Sequence, residues 1–281
     1  MQRQPPRSER LIDRQAGAPS TPAAVPRRTF LRRFAAAMAL LGGGSIAPRF
    51  GDDGERGGDP PGPARHSQRQ WAMVFDLRRC DGCERCADAC SEMHFLPDDQ
   101  PWLKVHELTD VAGQTYYQPQ PCMQCERPPC VRVCPVGATY RTDDGVTLVD
   151  QDRCIGCRMC MAACPYDART FNWDPPPDAP TSPAGPTPEF PVPQQLGTVG
   201  KCVFCVHDTR AGKLPACVLG CHTGAIYLGD FDSDVATNGE ETVRLSTFLR
   251  DSDAFRLNEE LGTHPRVYYI AGHGQHVDDD D

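Results

Sequence analysis

The sequence predicts an α+β chain, rich in loops and built from two pseudo-symmetric modules, and three observations predict it. Sixteen cysteines fall into four groups of four with repeating spacing. A related six-residue string follows the last cysteine of three of those groups. Short apolar runs of strand character flank the groups, with turn residues between them. The repeating unit is therefore strand, cysteine loop, short helix, strand.

The chain opens on a segment unlike the rest. Residues 1–50 carry nine arginines against Glu9 and Asp13, a charge of +7; the whole chain of 281 residues has −9, which leaves −16 beyond residue 50. Pro26-Arg27-Arg28-Thr29-Phe30-Leu31-Arg32-Arg33 precedes an apolar, small-residue run at 34–47. That is the layout of a signal peptide, and the twin arginine followed by Thr29, Phe30 and Leu31 resembles the motif read by the twin-arginine translocase, which exports folded cargo. The alternative is a basic tail entering a small amphipathic helix. Ser45-Ile46-Ala47 fits the small-x-small cleavage rule, but Pro48 follows directly, so an uncleaved anchor stands as a second reading. The expected destination is the periplasm, or the outer face of the cytoplasmic membrane as a peripheral protein.

Residues 51–69 mix Gly, Pro and charge without apolar periodicity, the composition of a flexible linker. Order is expected from Trp71, in one domain covering 71–174 and 196–270. Between these parts lies a break: residues 175–193 contain nine of the 28 prolines, too few backbone donors for a helix or central strand, and 175–195 is expected to be an extended surface loop. Residues 271–281 end in a short acidic tail with no assigned role. The acidic body argues against a nucleic-acid partner, which would call for a basic face. Beyond residue 50 no stretch approaches the roughly 18 apolar residues that a spanning helix requires.

Group one is Cys80, Cys83, Cys86 and Cys90, spaced C-x2-C-x2-C-x3-C, and group three, Cys154, Cys157, Cys160 and Cys164, repeats it. Group two is Cys122, Cys125, Cys130 and Cys134, C-x2-C-x4-C-x3-C; group four is Cys202, Cys205, Cys217 and Cys221, C-x2-C-x11-C-x3-C. The following strings are Pro135-Val136-Gly137-Ala138-Thr139-Tyr140, Pro165-Tyr166-Asp167-Ala168-Arg169-Thr170 and His222-Thr223-Gly224-Ala225-Ile226-Tyr227. Each is expected to lead into a short strand. Met73-Val74-Phe75-Asp76-Leu77 and Val146-Thr147-Leu148-Val149 read as strands before groups one and three, and Asp143-Asp144-Gly145 supplies the turn of a hairpin between groups two and three.

A C-x2-C-x2-C loop wraps three thiolates around one concave patch, while the cysteine after x3 sits a helical turn away. In two-cluster ferredoxins that fourth cysteine ligates the other cluster, so such motifs work in pairs. Groups two and three are separated only by a hairpin, which leaves groups one and four to pair across them. The expected ligand sets are Cys80, Cys83, Cys86 with Cys221; Cys202, Cys205, Cys217 with Cys90; Cys122, Cys125, Cys130 with Cys164; and Cys154, Cys157, Cys160 with Cys134. All sixteen cysteines are used, for four 4Fe-4S clusters. Zinc fits less well, because a two-knuckle site has no use for the third cysteine of C-x2-C-x2-C. A disulfide framework also fits poorly, because cysteines three apart bridge badly.

Arg79-Cys80-Asp81-Gly82-Cys83, Pro121-Cys122-Met123-Gln124-Cys125 through Pro128-Pro129-Cys130, and Asp152-Arg153-Cys154-Ile155-Gly156-Cys157 resemble the four-cluster, dicluster-ferredoxin-like subunits of respiratory oxidoreductases. That family includes the iron-sulfur subunits of dimethyl-sulfoxide, polysulfide, tetrathionate and formate-dependent nitrite reductases. The similarity runs from about Trp71 to Ile270. It includes Phe255-Arg256-Leu257, Glu260-Leu261-Gly262-Thr263 and Pro265-Arg266-Val267-Tyr268-Tyr269 near the end. The resemblance implies a subunit that relays electrons between a membrane-integral, quinone-interacting subunit and a catalytic chain, with no catalytic residues of its own. A molybdopterin oxidoreductase is the expected catalytic partner, and the alternative is a molybdenum-free quinone-linked complex with a multihaem cytochrome or other redox partner. Cys157 stands where some relatives substitute tryptophan and hold a three-iron cluster, so four full clusters are expected.

A rival class, a catalytic iron-sulfur enzyme with one iron left open, is opposed by the same arithmetic. Sixteen cysteines satisfy four clusters and leave no site for substrate. Groups one and four lack the proline that follows the fourth cysteine elsewhere; His222 takes that place after Cys221 and is expected to be merely exposed, or else to hydrogen-bond near a cluster. Arg79, Arg153 and Lys201 each precede the first cysteine of a group. They either raise nearby potentials or are solvated surface charges.

Overall fold

In order, the chain forms β1 (Trp71–Asp76), α1 (Arg85–His94), β2 (Lys104–Thr109), β3 (Thr115–Gln120), α2 (Pro129–Arg132), β4 (Thr139–Arg141), β5 (Thr147–Val149), α3 (Met159–Ala162) and β6 (Thr170–Phe171). It continues through β7 (Val199–Gly200), α4 (Val206–Thr209), α5 (Ala216–Leu219), β8 (Ile226–Asp230), β9 (Val235–Thr237), β10 (Thr242–Arg244), α6 (Leu245–Asp251) and β11 (Val267–Ile270). These elements come from a computed structural model that describes residues 69–175 and 185–272. The expected signal at 1–50, all of the linker but Arg69, and the tail from 273 lie outside the described residues. Among the described residues no helix is long and apolar enough to cross a membrane.

The main sheet has the order β10-β9-β8-β1-β11. β1 is buried at every position, as a central strand covered on both faces must be. β8 pairs with it antiparallel, Val74 opposite Tyr227, and β11 pairs with it parallel, Val74 opposite Tyr268. The two faces of β1 follow the period of two. Trp71, Met73 and Phe75 point into the core that contains the cysteines, whereas Ala72 and Val74 join Tyr227, Leu245 and Ile270 in a second core below α6. β9, β10, α6 and the parallel strand β11 have no counterpart in the sequence expectations.

Three hairpin-like pairings arrange the cysteine groups. β4 and β5 join groups two and three, β6 and β7 join groups three and four, and β1 with β8 closes group four onto group one. The turn at 143–145 is where the sequence places it: Thr142 accepts the Gly145 N–H through its carbonyl and holds Val146 through its hydroxyl. α1 and α5 cross closely at Gly220, where a Cβ would lie 2.7 Å from Ala89 Cβ and 2.9 Å from the Arg85 carbonyl oxygen.

The proline-rich segment departs from the expectation of a surface loop. Residues 176–184 lie outside the description, but Pro191, Val192 and Gln194 are buried. Phe190 packs on the rings of His94 and His207, at centroid distances of 5.9 and 4.4 Å. Gln151 Nε2 donates to Gln194 Oε1 at 2.6 Å. Proline removes donors without preventing burial: the extended backbone satisfies itself locally, with Val192 N–H on the Phe190 carbonyl, and the side chains between the prolines supply an apolar cover.

Candidate metal centres

All four C-x2-C loops share one backbone device. The residue before the second cysteine is left-handed in each: Gly82 (φ 77°), Gln124 (45°), Gly156 (67°) and Phe204 (52°). This reversal lets two cysteines three apart face the same hollow. At Gly156 a Cβ would stand 2.3 Å from the Gly197 carbonyl oxygen, so glycine is also required by crowding there.

The repeated string after the fourth cysteine has an equally concrete purpose. Its third residue is left-handed in each copy, Gly137, Asp167 and Gly224, and the turn directs backbone N–H groups at the preceding sulfur. Ala225 N–H reaches Cys221 Sγ at 3.2 Å. The Ala168 and Tyr166 amides face Cys164, and those of Val136, Gly137, Ala138 and Thr139 face Cys134. Burial pushes the Cys134 thiol up, but this cradle of amides outweighs it and leaves the thiol below its ordinary value.

The sulfurs gather into four quartets. Cys80, Cys83, Cys86 and Cys221 line one pocket, quartet I. Cys90 and Cys217 lie in each other's field and in that of Cys202 and Cys205, quartet II. Cys125 has Cys122, Cys130 and Cys164 as its charged neighbours, quartet III. Cys134, Cys154, Cys157 and Cys160 line a second pocket, quartet IV. The quartets also form a row. Cys86 neighbours Cys90 and Cys217, linking I to II; Cys202 neighbours Cys122, linking II to III; Cys160 neighbours Cys130, linking III to IV. At the two ends Cys83 and Cys157 are exposed, while every cysteine of quartet II is buried.

The donor set calls for a bound cation. All sixteen cysteines carry free thiols. Burial first, then the charge of neighbouring sulfurs, pushes the thiols of Cys86 and Cys125 up to about 12. For Cys80 the order is burial, opposed by the Gly82 amide, then the charge of Cys221, and the thiol rises to about 11. Bare thiolates so packed repel one another, and a cation bound in the hollow would remove that repulsion. Two buried cations point the same way. Arg169 is 4% exposed and Lys201 1% exposed, and neither forms an ion pair among the described residues. Burial opposes the charge on Arg169, yet the sulfurs of Cys130, Cys160 and Cys122 hold its pKa above the ordinary value. Lys201 donates to the Cys202 carbonyl at 2.8 Å. Uncompensated buried charges are rare, so an anionic group belongs beside each. A 4Fe-4S cluster with four thiolate ligands provides one.

The side chains singled out by the sequence divide. Lys201 is buried, not a solvated surface charge, with its ammonium on the Cys202 carbonyl. Arg79 is half-buried, bonded to Tyr227 and Glu241, and Arg153 is exposed, with Nη2 on the Val136 carbonyl at 3.1 Å. His222 is not merely exposed. Its side chain is 41% accessible, with Nε2 3.1 Å from Asp81 and Nδ1 3.5 Å from Cys83 Sγ.

Other contacts had no role in the sequence reading. His94 is buried with Nε2 3.5 Å from Cys205 Sγ. Burial, with His207 nearby, pushes its pKa down to about 3, so the imidazole is neutral. Thr263 hydrogen-bonds Tyr166 and lies beside Cys125. Gln124 crosslinks the Cys202 carbonyl and the Thr147 amide. Arg169 sits within the repeated string, and its divergence from the small or apolar residue at that place in the other copies was the one available signal.

Two models of the 4Fe-4S dicluster domain match the chain, one over residues 113–176 and 185–231, the other over 79–138. The menaquinone reductase iron-sulfur cluster-binding subunit of Nitratidesulfovibrio vulgaris is 39% identical over 243 residues, covering 72% of this chain and 89% of the relative. A tetrathionate reductase subunit of Salmonella typhimurium is 35% identical over 221 residues, covering 75% and 77%. A polysulfide reductase subunit of Wolinella succinogenes is 34% identical over 209 residues, covering 72% and 94%.

Proposed function

Given that the chain belongs to the 4Fe-4S dicluster iron-sulfur subunits of reductase complexes, electron-transfer components whose catalysis lies on a partner chain, we propose that it carries four clusters, one in each quartet, as a wire between a membrane quinone-linked subunit and a catalytic subunit. The observation that carries this reading is the row of quartets, buried in the middle and exposed at Cys83 and Cys157.

In this reading Cys80, Cys83, Cys86 and Cys221 hold the first cluster, and Cys202, Cys205, Cys217 and Cys90 the second. Cys122, Cys125, Cys130 and Cys164 hold the third, and Cys154, Cys157, Cys160 and Cys134 the fourth. Bound clusters supply one-electron redox chemistry across a wide range of potentials. The chain's own residues do the rest. The amide cradles at Cys134, Cys164 and Cys221 stabilise negative sulfur, Phe190 and the buried Trp102, whose ring lies 4.8 Å from that of His94, cover the His94 side of quartet II, and Lys201 and Arg169 place positive charge along the row. The ends differ in character. Ile155, Met159 and Trp173 are exposed around Cys157, with Arg158 over the Trp173 ring at 4.7 Å, whereas Asp81, Glu84 and His222 surround Cys83. The apolar end suits a membrane-embedded partner and the polar end a water-soluble catalytic chain.

Residues 1–50 direct export of the folded, loaded chain by the twin-arginine route to the outer face of the membrane. Arg27→Lys with Arg28→Lys retains the protein in the cytoplasm on this reading, and unchanged fractionation overturns it. The central test is iron and sulfide analysis of the complex purified anaerobically from detergent-solubilised membranes. About 16 iron per chain is expected for four clusters. Co-purifying molybdenum or tungsten assigns a molybdopterin partner; iron and sulfide without either favour the molybdenum-free complex. Zinc without sulfide refutes the wire.

A further inference from the structure

Arg169 is the residue in which two quartets meet. It follows Cys164 by five positions, at the entry to β6, and its side chain runs inward between Cys130 of quartet III and Cys160 of quartet IV. Cys122 and Cys164 also lie within its field. Nη1 donates to Thr139 Oγ1 at 3.2 Å, from a threonine that is itself buried. Nη2 is buried and, among the described residues, has no nitrogen or oxygen partner. A guanidinium keeps its charge at any working pH, and the acidic groups that act on it most strongly are the sulfurs of Cys130, Cys160 and Cys122. Its fork is therefore shared between two metal sites.

We propose that Arg169 is an electrostatic bridge that raises the reduction potentials of the centres in quartets III and IV together. The inference rests on the cluster assignment above and deepens it. Adding an electron to either centre increases the negative charge beside the guanidinium, so the cation stabilises the reduced form of both. Because the charge is buried, salt and solvent screen it little. The exposed Arg153, which also stands near quartet IV, lacks this property. Arg169 acts here as a positioning residue: it moves two neighbouring stations in the same direction.

The test is an EPR-monitored redox titration of the complete complex carrying Arg169→Gln, Arg169→Lys, Arg153→Gln or Thr139→Val. Iron content of the unsubstituted complex reports separately on the cluster reading. With Arg169→Gln, two of the centres are expected to shift to lower potential while the other two stay in place. Arg169→Lys, which retains the charge, is expected to shift them less, and Arg153→Gln to leave all four unchanged. A shift in one centre only, in none, or equal shifts in the Gln and Lys variants would overturn the bridge. Should Arg169→Gln fail to retain iron, Thr139→Val decides. It removes only the hydroxyl that holds Nη1 and is expected to shift the same two centres, and unchanged potentials in an iron-replete Thr139→Val complex refute the proposal.

Discussion

Cys164→Ser separates crossed ligation from ligation within a group. Cys164 is the fourth member of its sequence group, yet its charged neighbours are Cys122 and Cys125, and the hollow lined by Cys154, Cys157 and Cys160 contains Cys134 instead. A serine there leaves quartet III with three thiolates and quartet IV with four. On the proposed four-cluster reading each centre accounts for four of about sixteen iron atoms, so the count falls to about twelve if the centre is lost, or to about fifteen if a three-iron remnant survives. The two centres are distinguishable by access, since Cys157 is exposed while Cys122, Cys125 and Cys130 are buried. A small anionic oxidant applied anaerobically reaches quartet IV quickly and quartet III slowly. Quartet I, exposed at Cys83, is fast as well and buried quartet II slow, so the expected result is loss of one of two slowly oxidised EPR signals, with both fast ones retained. Loss of one fast signal, with both slow ones intact, refutes the crossing, and Cys134→Ser gives the mirror-image control.

Gly220→Ala is expected to lower thermal stability, because its Cβ would sit 2.7 Å from Ala89 Cβ and overpacking of this kind costs about 1–3 kcal/mol. The neighbouring, exposed Leu219→Ala should change little by the same melting assay, and an undiminished melting temperature for Gly220→Ala contradicts the close crossing. Asp144 lies between two influences: burial raises its carboxyl, but the Arg210 guanidinium at 2.8 Å and the Thr142 hydroxyl hold it below the ordinary value. Its pairing therefore stabilises above the unfolded carboxylate pKa of about 3.9 and is lost as pH falls through the lower folded value. Arg210 is half-exposed, so Asp144→Asn should cost only about 1 kcal/mol at neutral pH and nothing in strong acid, as followed by urea unfolding, and a penalty that persists in acid contradicts the ion pair. His94→Leu removes the ring nitrogen 3.5 Å from Cys205 Sγ. Hydrogen bonds to sulfur raise cluster potentials, so one centre should titrate lower; four unchanged potentials show that His94 only packs.

The arrangement of thiols was legible because an x3 interval turns a side chain away from its own loop, and because the hairpin at 143–145 is written in Asp-Asp-Gly. The repeated strings were visible too, although only the left-handed third residue explains why Gly137, Asp167 and Gly224 share that place. What escaped was long-range. Nothing local to Val267 or Tyr269 says that they lie parallel to β1, a pairing decided across nearly the whole domain. For Lys201 a solvated charge and a charge acting on a nearby potential both stood open, because lysine is usually exposed, and only its burial in the fold decides against the solvated reading. Among the described residues 185–193 the prolines argued correctly against regular structure and wrongly against burial, since burial needs satisfied carbonyls and apolar side chains, not a helix or a ladder.

The interleaving of the quartets divides the chain into a self-contained middle and two ends that depend on each other. Quartets III and IV draw on cysteines from Cys122 to Cys164 alone, so that half of the row is complete as soon as the middle of the chain has been made. Quartets I and II each combine an early segment, Cys80 to Cys90, with a late one, Cys202 to Cys221. A chain interrupted before Cys217 can therefore finish neither, however well its centre has folded. The two outer segments of the domain thus share their hollows with each other, while its middle segment shares them only with itself.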